Sequence, residues 1–94
     1  MAIIVRVRDG RIEEYENGSL RRSYGSNIIA AATDGQIVAG VRTDGRVEEY
    51  KGGSLMRNYG SNAIGVQVSG GVVAAQTKGG RTEEYNNGSL QRSY

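Results

Sequence analysis

The sequence contains no cysteine, histidine, proline, tryptophan or phenylalanine. Without cysteine there is no disulfide framework and no thiolate nucleophile, and without histidine the commonest metal ligand and general base is missing. No apolar stretch approaches the ~18 residues of a membrane helix, and the apolar start "MAII" is too short for a signal-peptide core. We therefore expect no enzyme activity, no catalytic residue, no metal or cofactor, and a cytoplasmic location by default.

The sequence also lacks a large excess of either charge, since 12 Lys and Arg residues and 10 Asp and Glu residues give a net charge of +2. The charges are interleaved and form no polybasic run, so neither nucleic acid nor a membrane is expected as a partner. A chain of 94 residues is expected to form a single domain over residues 1–94.

The sequence is highly repetitive. The segments "GRIEEYENGSLRRSYGSN", "GRVEEYKGGSLMRNYGSN" and "GRTEEYNNGSLQRSY" begin at Gly10, Gly45 and Gly80, a spacing of 35 residues. The stretches before the second and third copies, "NIIAAATDGQIVAGVRTDG" and "NAIGVQVSGGVVAAQTKGG", match each other as well. The repeat predicts three units at about 1–26, 27–61 and 62–94. Such similar units are typical of recent duplication or of deliberate design.

A full unit divides into four segments, a to d, such as "NAIGVQV", "GVVAAQTK", "RTEEYN" and "SLQRSY". Each is short and rich in Ile, Val, Thr and Tyr, which favours a strand. The first unit lacks segment a, so eleven antiparallel strands are predicted. Pairs of turn-forming residues separate the strands and favour type I′ hairpins. These pairs are Asp9-Gly10, Asn17-Gly18, Asp34-Gly35, Asp44-Gly45, Gly52-Gly53, Ser69-Gly70, Gly79-Gly80 and Asn87-Gly88.

The hairpin between segments c and d carries the residues that never vary. A two-residue turn at Asn17-Gly18 predicts that three pairs share one face: Tyr15 with Leu20, Glu13 with Arg22, and Arg11 with Tyr24. All six residue types recur in the other two units. The opposite face varies, except for the glutamates Glu14, Glu49 and Glu84.

Segments a and b are apolar or small on both faces, so we expect them to be interior and segments c and d to be peripheral. This gradient resembles a blade of a β-propeller, although no Trp-Asp pair of the WD40 type is present. Propellers close with about four to eight blades. The resemblance therefore implies that the three blades of one chain form a ring only by homo-oligomerisation, with a dimer favoured. In that ring Tyr94 of one chain would lie near Met1 of the next.

A second resemblance is to the β-prism II fold of monocot mannose-binding lectins, in which three four-stranded units close within one chain. Their motif is Gln-x-Asp-x-Asn-x-Val-x-Tyr. The segment "RTDGRVEEY" keeps Asp44 and Tyr50 of that motif, whereas Arg42, Arg46 and Glu48 replace Gln, Asn and Val.

Two functions fit the invariant positions. In the first, a self-assembling scaffold or binding module, they dock each unit on the next, and the partner is another copy of the chain. The residues expected to form this repeat face are Leu20, Arg22, Tyr24, Leu55, Arg57, Tyr59, Leu90, Arg92 and Tyr94. The alternative is a multivalent lectin, because Tyr beside Arg and Glu can stack on a sugar and bind its hydroxyls. Its candidate carbohydrate-binding residues are Arg11, Glu13, Tyr15, Arg46, Glu48, Tyr50, Arg81, Glu83 and Tyr85.

Overall fold

A computed structural model describes residues 3–94 and shows an all-β fold, as predicted. These residues contain no helix that is long and apolar enough to cross a membrane. The eleven strands are β1 (Ile3–Arg8), β2 (Arg11–Glu16), β3 (Ser19–Tyr24), β4 (Ile28–Thr33), β5 (Val38–Arg42), β6 (Val47–Lys51), β7 (Ser54–Tyr59), β8 (Ala63–Ser69), β9 (Val72–Thr77), β10 (Thr82–Asn86) and β11 (Ser89–Ser93).

The strands form three antiparallel sheets, each from one continuous part of the chain. Sheet A has the order β1-β2-β3, sheet B the order β4-β5-β6-β7, and sheet C the order β8-β9-β10-β11. Strand β4 packs against both β1 and β8, so the inner edges of the three sheets lie together. Backbone hydrogen bonds join the sheets there, from Ile28 N to Gly10 O at 2.9 Å and from Ala63 N to Gly45 O at 3.0 Å.

Four turns have the predicted type I′ geometry, with positive φ at both central residues: Asp9-Gly10, Asn17-Gly18, Gly52-Gly53 and Asn87-Gly88. The prediction of Ser69-Gly70 was wrong by one residue, because Ser69 pairs with Val72 and leaves Gly70-Gly71 in the turn.

Three other turn predictions, Asp34-Gly35, Asp44-Gly45 and Gly79-Gly80, were also wrong, since only the second residue of each pair has positive φ. In two of these turns the aspartate carboxylate accepts backbone N–H groups. Asp34 Oδ1 accepts from Gln36 and Ile37, and Asp44 Oδ1 accepts from Arg46. Such side-chain caps stabilise longer loops in place of a two-residue turn.

The predicted register of the c–d hairpins holds only beside the turn. Tyr15 pairs with Leu20 as expected, but a β-bulge follows, so Glu14 rather than Glu13 lies opposite Arg22. Beyond the bulge Ile12, rather than Arg11, lies opposite Tyr24. The same bulge recurs in sheets B and C. Since one extra residue reverses the side-chain alternation, Arg22 and Tyr24 lie on the opposite face of the sheet from Tyr15, and their counterparts in sheets B and C do the same.

The sheets pack face to face in chain order. We call the face that carries Tyr15, Tyr50 or Tyr85 the front face of its sheet, and the face that carries Tyr24, Tyr59 or Tyr94 the back face. The back face of sheet A meets the front face of sheet B, and the back face of sheet B meets the front face of sheet C. One buried cluster fills each interface.

Burial in sheet B confirms that segment b is interior, since four of the five residues of β5 are buried, but it corrects the expectations that segment a is interior and segment c peripheral. Four consecutive residues of β6, Val47 to Tyr50, are buried, whereas β4 is mostly half-buried. Strand β6 is covered on both faces because it lies in the middle of both sheet-to-sheet interfaces. Only β7, segment d of this sheet, is mostly exposed.

Candidate functional site

Each back face carries a glutamate that binds an arginine and a tyrosine from the neighbouring strand. In sheet A, Glu14 accepts hydrogen bonds from Arg22 Nη1 at 2.5 Å and from the Tyr24 hydroxyl at 2.7 Å. Glu49 is bound in the same way by Arg57 and Tyr59, and Glu84 by Arg92 and Tyr94. Glu14 and Glu49 are buried, and a buried carboxylate is tolerated when it is paired and hydrogen-bonded.

Each front face carries a different glutamate, which orients the first tyrosine of the repeat. The Tyr15 hydroxyl donates to Glu13 at 2.8 Å, Tyr50 donates to Glu48 at 2.5 Å, and Tyr85 donates to Glu83 at 2.9 Å. In sheet A the Nε of Arg6 also donates to Glu13, at 2.9 Å. The two adjacent glutamates of every "EE" pair therefore serve opposite faces of one strand.

In each interface between sheets, a back-face tyrosine packs on a front-face tyrosine of the next sheet. Tyr24 of sheet A packs on Tyr50 of sheet B with ring centroids 4.8 Å apart and planes inclined by 44°. Tyr59 of sheet B packs on Tyr85 of sheet C at 4.5 Å and 37°. These separations lie in the range of favourable tilted aromatic pairs.

Glycines in the c–d turns make room for the back-face arginines. A Cβ placed on Gly53 of sheet B would lie 2.8 Å from Cδ of Arg22, and a Cβ on Gly88 of sheet C would lie 2.8 Å from Cδ of Arg57. Both glycines also have positive φ, at 84° and 82°. The turn therefore needs glycine for its conformation and for the close approach of the preceding sheet.

Burial between the sheets keeps the tyrosines protonated. Removal from water, followed by the hydrogen bond to glutamate, raises the pKa of Tyr24, Tyr50 and Tyr59 well above the usual value. The same two causes raise the pKa of Tyr85 to about 12. All four hydroxyls therefore remain protonated hydrogen-bond donors to a higher pH than free tyrosine, which ionises near pH ~10.

One front face and one back face have no other sheet over them within residues 3–94. On the front face of sheet A, an open depression of about 340 Å³ is lined by Ile4, Arg6, Tyr15, Asn17 and Gly18. On the back face of sheet C, a groove of about 330 Å³ is lined by Gln67, Ser69, Val72, Ala74, Glu84 and Tyr94. We call these the free front face and the free back face.

The candidate carbohydrate-binding residues occupy different environments. Tyr50 and Tyr85 are buried between sheets, and Tyr15 alone of this set of tyrosines lies on an open face. The arginines lie at the outer rim: Arg11 and Arg81 donate to the hydroxyls of Ser23 and Ser93 respectively, and Arg46 donates to Asn58. The glutamates of the set are Glu13, Glu48 and Glu83, which bind the tyrosines described above.

The residues expected to form one repeat face are divided by the bulge. The leucines Leu20, Leu55 and Leu90 stay on the front side and are exposed. The arginines and tyrosines, namely Arg22, Tyr24, Arg57, Tyr59, Arg92 and Tyr94, lie on the back faces with Glu14, Glu49 and Glu84. Sequence reasoning assigned these glutamates no role, although their constancy on a face that otherwise varies was the available signal.

The family of the chain follows from a comparison of its full length. The family model described as Helicobacter pylori IceA2 protein matches residues 1–58 and again residues 50–94. The chain belongs to the IceA2 family. No curated protein matches it. The two matches to the IceA2 model overlap at residues 50–58, within the hairpin of β6 and β7. The first match includes the c–d hairpin of sheet A (β2 and β3), and the second includes that of sheet C (β10 and β11).

Proposed function

We propose that this chain is a non-enzymatic repeat module that assembles with further copies of itself. The observation that carries the proposal is the pair of free faces at the two ends of the stack. The free back face bears the same glutamate, arginine and tyrosine group as the back faces inside the chain, and the free front face bears the same glutamate and tyrosine pair as the front faces there.

The free faces also leave apolar and aromatic surface in water. The side chain of Ile4 is 66 % exposed and that of Tyr94 is 60 % exposed, whereas Tyr24 and Tyr59 are buried in the internal interfaces. Burial of such surface is favourable by about 25 cal/mol per Å². Association of copies would bury the free faces in the way that the chain already buries the others.

A ring of copies is the form of assembly that we favour. Three sheets are fewer than the roughly four to eight that close a propeller, and two copies supply six.

We propose a non-enzymatic function because the chain has no Cys or His and because its adjacent carboxylates are not arranged as a catalytic pair. Glu13 and Glu14 point to opposite faces, so they cannot act together on one substrate.

The mass of the native particle tests the proposal. Light scattering coupled to size-exclusion chromatography should give a defined multiple of 10.1 kDa, with two chains as the expected number. A monodisperse particle of a single chain at every concentration would contradict self-assembly. Such a particle would instead favour closure within one chain, as in a β-prism.

Multivalent carbohydrate binding is the alternative, and the structure offers it one open tyrosine of the candidate set. Tyr15 has Arg6 above its ring, with 5.1 Å between the guanidinium carbon and the ring centroid, and Ile4 beside it. A glycan array compared between the protein and Tyr15→Ala tests this function. Binding that Tyr15→Ala abolishes would support it, and an array without signal would contradict it.

A further inference from the structure

The geometry points to a specific partner for each free face. We propose that the free back face of one copy docks on the free front face of a second copy, so that the chains join head to tail. This inference rests on the proposed self-assembly and specifies which surfaces of the two copies are in contact. Its basis is that the chain builds the same interface twice, between sheets A and B and between sheets B and C.

The arginine contacts define the first part of the docked geometry. Arg22 lies over Gly53 of the next sheet, and Arg57 lies over Gly88 of the next sheet. The third back-face arginine is Arg92, and the remaining c–d turn is that of Gly18 in sheet A. Gly18 has φ of 81°, and a Cβ placed there would meet nothing within 4 Å, so the place for an incoming arginine is empty.

The tyrosines define the second part. Tyr24 packs on Tyr50 and Tyr59 packs on Tyr85, which leaves Tyr94 and Tyr15 as the third pair of the series. Both are already oriented, because Tyr94 donates to Glu84 at 2.5 Å and Tyr15 donates to Glu13 at 2.8 Å. Side chains already held near their bound conformation lose less entropy on association, but the Arg6 guanidinium above the Tyr15 ring has to move aside for Tyr94 to pack there.

An apolar residue completes the match on the free front face. In sheets B and C the cross-strand neighbours of the front-face tyrosines are Val38 and Val73, and both are buried in interfaces. In sheet A the neighbour of Tyr15 is Ile4, which is exposed. Ile4 therefore presents an apolar side chain at the position that forms interface core in the other two sheets.

Both interfaces within the chain join a back face to a front face. A seam of the same kind between chains pairs unlike faces, whereas the pairing of two like faces would repeat neither interface. The seam between chains is thus heterologous, and such seams produce closed rings or open filaments.

Substitution of Gly18 tests the free front face. In Gly18→Asn the new side chain occupies the place of the incoming Arg92, and asparagine tolerates positive φ better than most residues. The matched control is Gly71→Asn, since Gly71 is also the second residue of a type I′ turn, has φ of 84°, and has no atom within 4 Å of an added Cβ. We expect Gly18→Asn to weaken self-association by at least about 30-fold, as for loss of an interface hot spot, and Gly71→Asn to leave it unchanged.

A complementation experiment tests the polarity of the seam. The double variant Arg92→Ala/Tyr94→Ala removes the free back face, and the single variant Gln91→Ala in the adjacent bulge is its control. Each damaged variant should be monomeric alone in sedimentation velocity. An equal mixture of Gly18→Asn and Arg92→Ala/Tyr94→Ala should associate as one-to-one pairs, because each chain supplies one intact face.

The outcomes separate this inference from the proposal beneath it. If the unmodified protein is monomeric at every concentration, self-assembly itself is wrong. If it assembles but the two variants do not associate when mixed, or if Gly18→Asn assembles as the unmodified protein does, only the head-to-tail seam is overturned. Circular dichroism of each variant at the same concentration shows whether the sheets have formed.

Discussion

Tyr59 and Tyr85 belong to different sheets, yet each hydroxyl is held by a glutamate of its own sheet: Glu49 binds Tyr59 at 2.8 Å, and Glu83 binds Tyr85 at 2.9 Å. The rings meet in the interface while the hydroxyls stay within their own sheets. The interface itself therefore needs no hydrogen bond between the two tyrosines, and apolar ring contact is what joins them.

The buried glutamate of the central sheet should contribute more to stability than its counterpart in sheet C. Glu49 is 3 % exposed, and its loss leaves the part-buried Arg57 and the Tyr59 hydroxyl without their acceptor. We expect Glu49→Ala to lower the free energy of unfolding by ~2–4 kcal/mol, because one partner of a buried ion pair is removed. Urea denaturation at a fixed, low protein concentration measures this.

The matched control for that variant is Glu84→Ala. Glu84 makes the same two hydrogen bonds on the free back face, where Arg92 and Tyr94 are exposed and water can replace the acceptor. Its cost should be clearly smaller in dilute solution. Equal losses for Glu49→Ala and Glu84→Ala would contradict the burial difference between the two faces.

Gly40 should tolerate alanine only if the residue facing it becomes smaller. A Cβ on Gly40 would lie 2.8 Å from Cδ1 of the fully buried Ile12. We expect Gly40→Ala to lower the free energy of unfolding by ~1–3 kcal/mol through overpacking.

The next interface shows how this loss can be reversed. The positions equivalent to Ile12 and Gly40 carry Val47 and Ala75, which lie in one buried cluster. The double variant Gly40→Ala/Ile12→Val should therefore recover most of the stability lost in Gly40→Ala. Additive losses in thermal denaturation of the two single variants and the double variant would show that the two interfaces are not packed alike.

Leu55 should contribute little, although its residue type is the same in all three units. Its side chain is 51 % exposed on the front side of sheet B, so Leu55→Ala should change the free energy of unfolding by less than ~0.5 kcal/mol. Ile12→Ala is the comparison, with an expected cost of ~2–5 kcal/mol for a buried large-to-small change. A loss at Leu55 as large as that at Ile12 would mean that this part of the hairpin is covered in the native particle.

Stability should fall in alkaline solution. Tyrosines of the unfolded chain ionise near pH ~10, whereas the folded pKa of Tyr85 is about 12 and those of Tyr24, Tyr50 and Tyr59 are also raised. Below pH ~10 both states keep these protons, so the stabilising contribution is fully present. Above it the unfolded state loses protons first, and stability declines as pH rises.

Tyrosinate absorbance and circular dichroism followed together measure this effect. The buried tyrosines should ionise in the same step in which the sheets unfold. Complete ionisation of all six tyrosines near pH ~10 without unfolding would contradict the burial of the four hydroxyls.

Much of the fold could be predicted from local sequence. Eleven strands follow from segment length and residue type, and four turns follow from Asp-Gly, Asn-Gly and Gly-Gly pairs. The register beyond the turns could not be predicted from the turn alone, because the bulge places an additional residue at Arg21 and at its counterparts Met56 and Gln91. Nothing in the two-residue turn signals that bulge.

The arrangement of the invariant residues could not be predicted from the sequence. Tyr15 and Tyr24 were expected on one face, yet they lie on opposite faces and bind different glutamates. The constancy of Glu14 contained the missing information, since a buried carboxylate needs partners and Arg22 and Tyr24 were the invariant residues able to provide them. Burial of β6 likewise depends on the stacking of sheets, which no single segment encodes.

The most direct test of head-to-tail assembly is a contact between Tyr94 of one chain and Tyr15 of another. Isotope-labelled and unlabelled copies are mixed, and nuclear Overhauser effects between ring protons of different chains are selected by isotope filtering. Head-to-tail assembly predicts intermolecular cross-peaks between Tyr94 and Tyr15. Cross-peaks that join Tyr94 only to Tyr94, or an assembled particle with none between Tyr94 and Tyr15, would contradict the proposed seam.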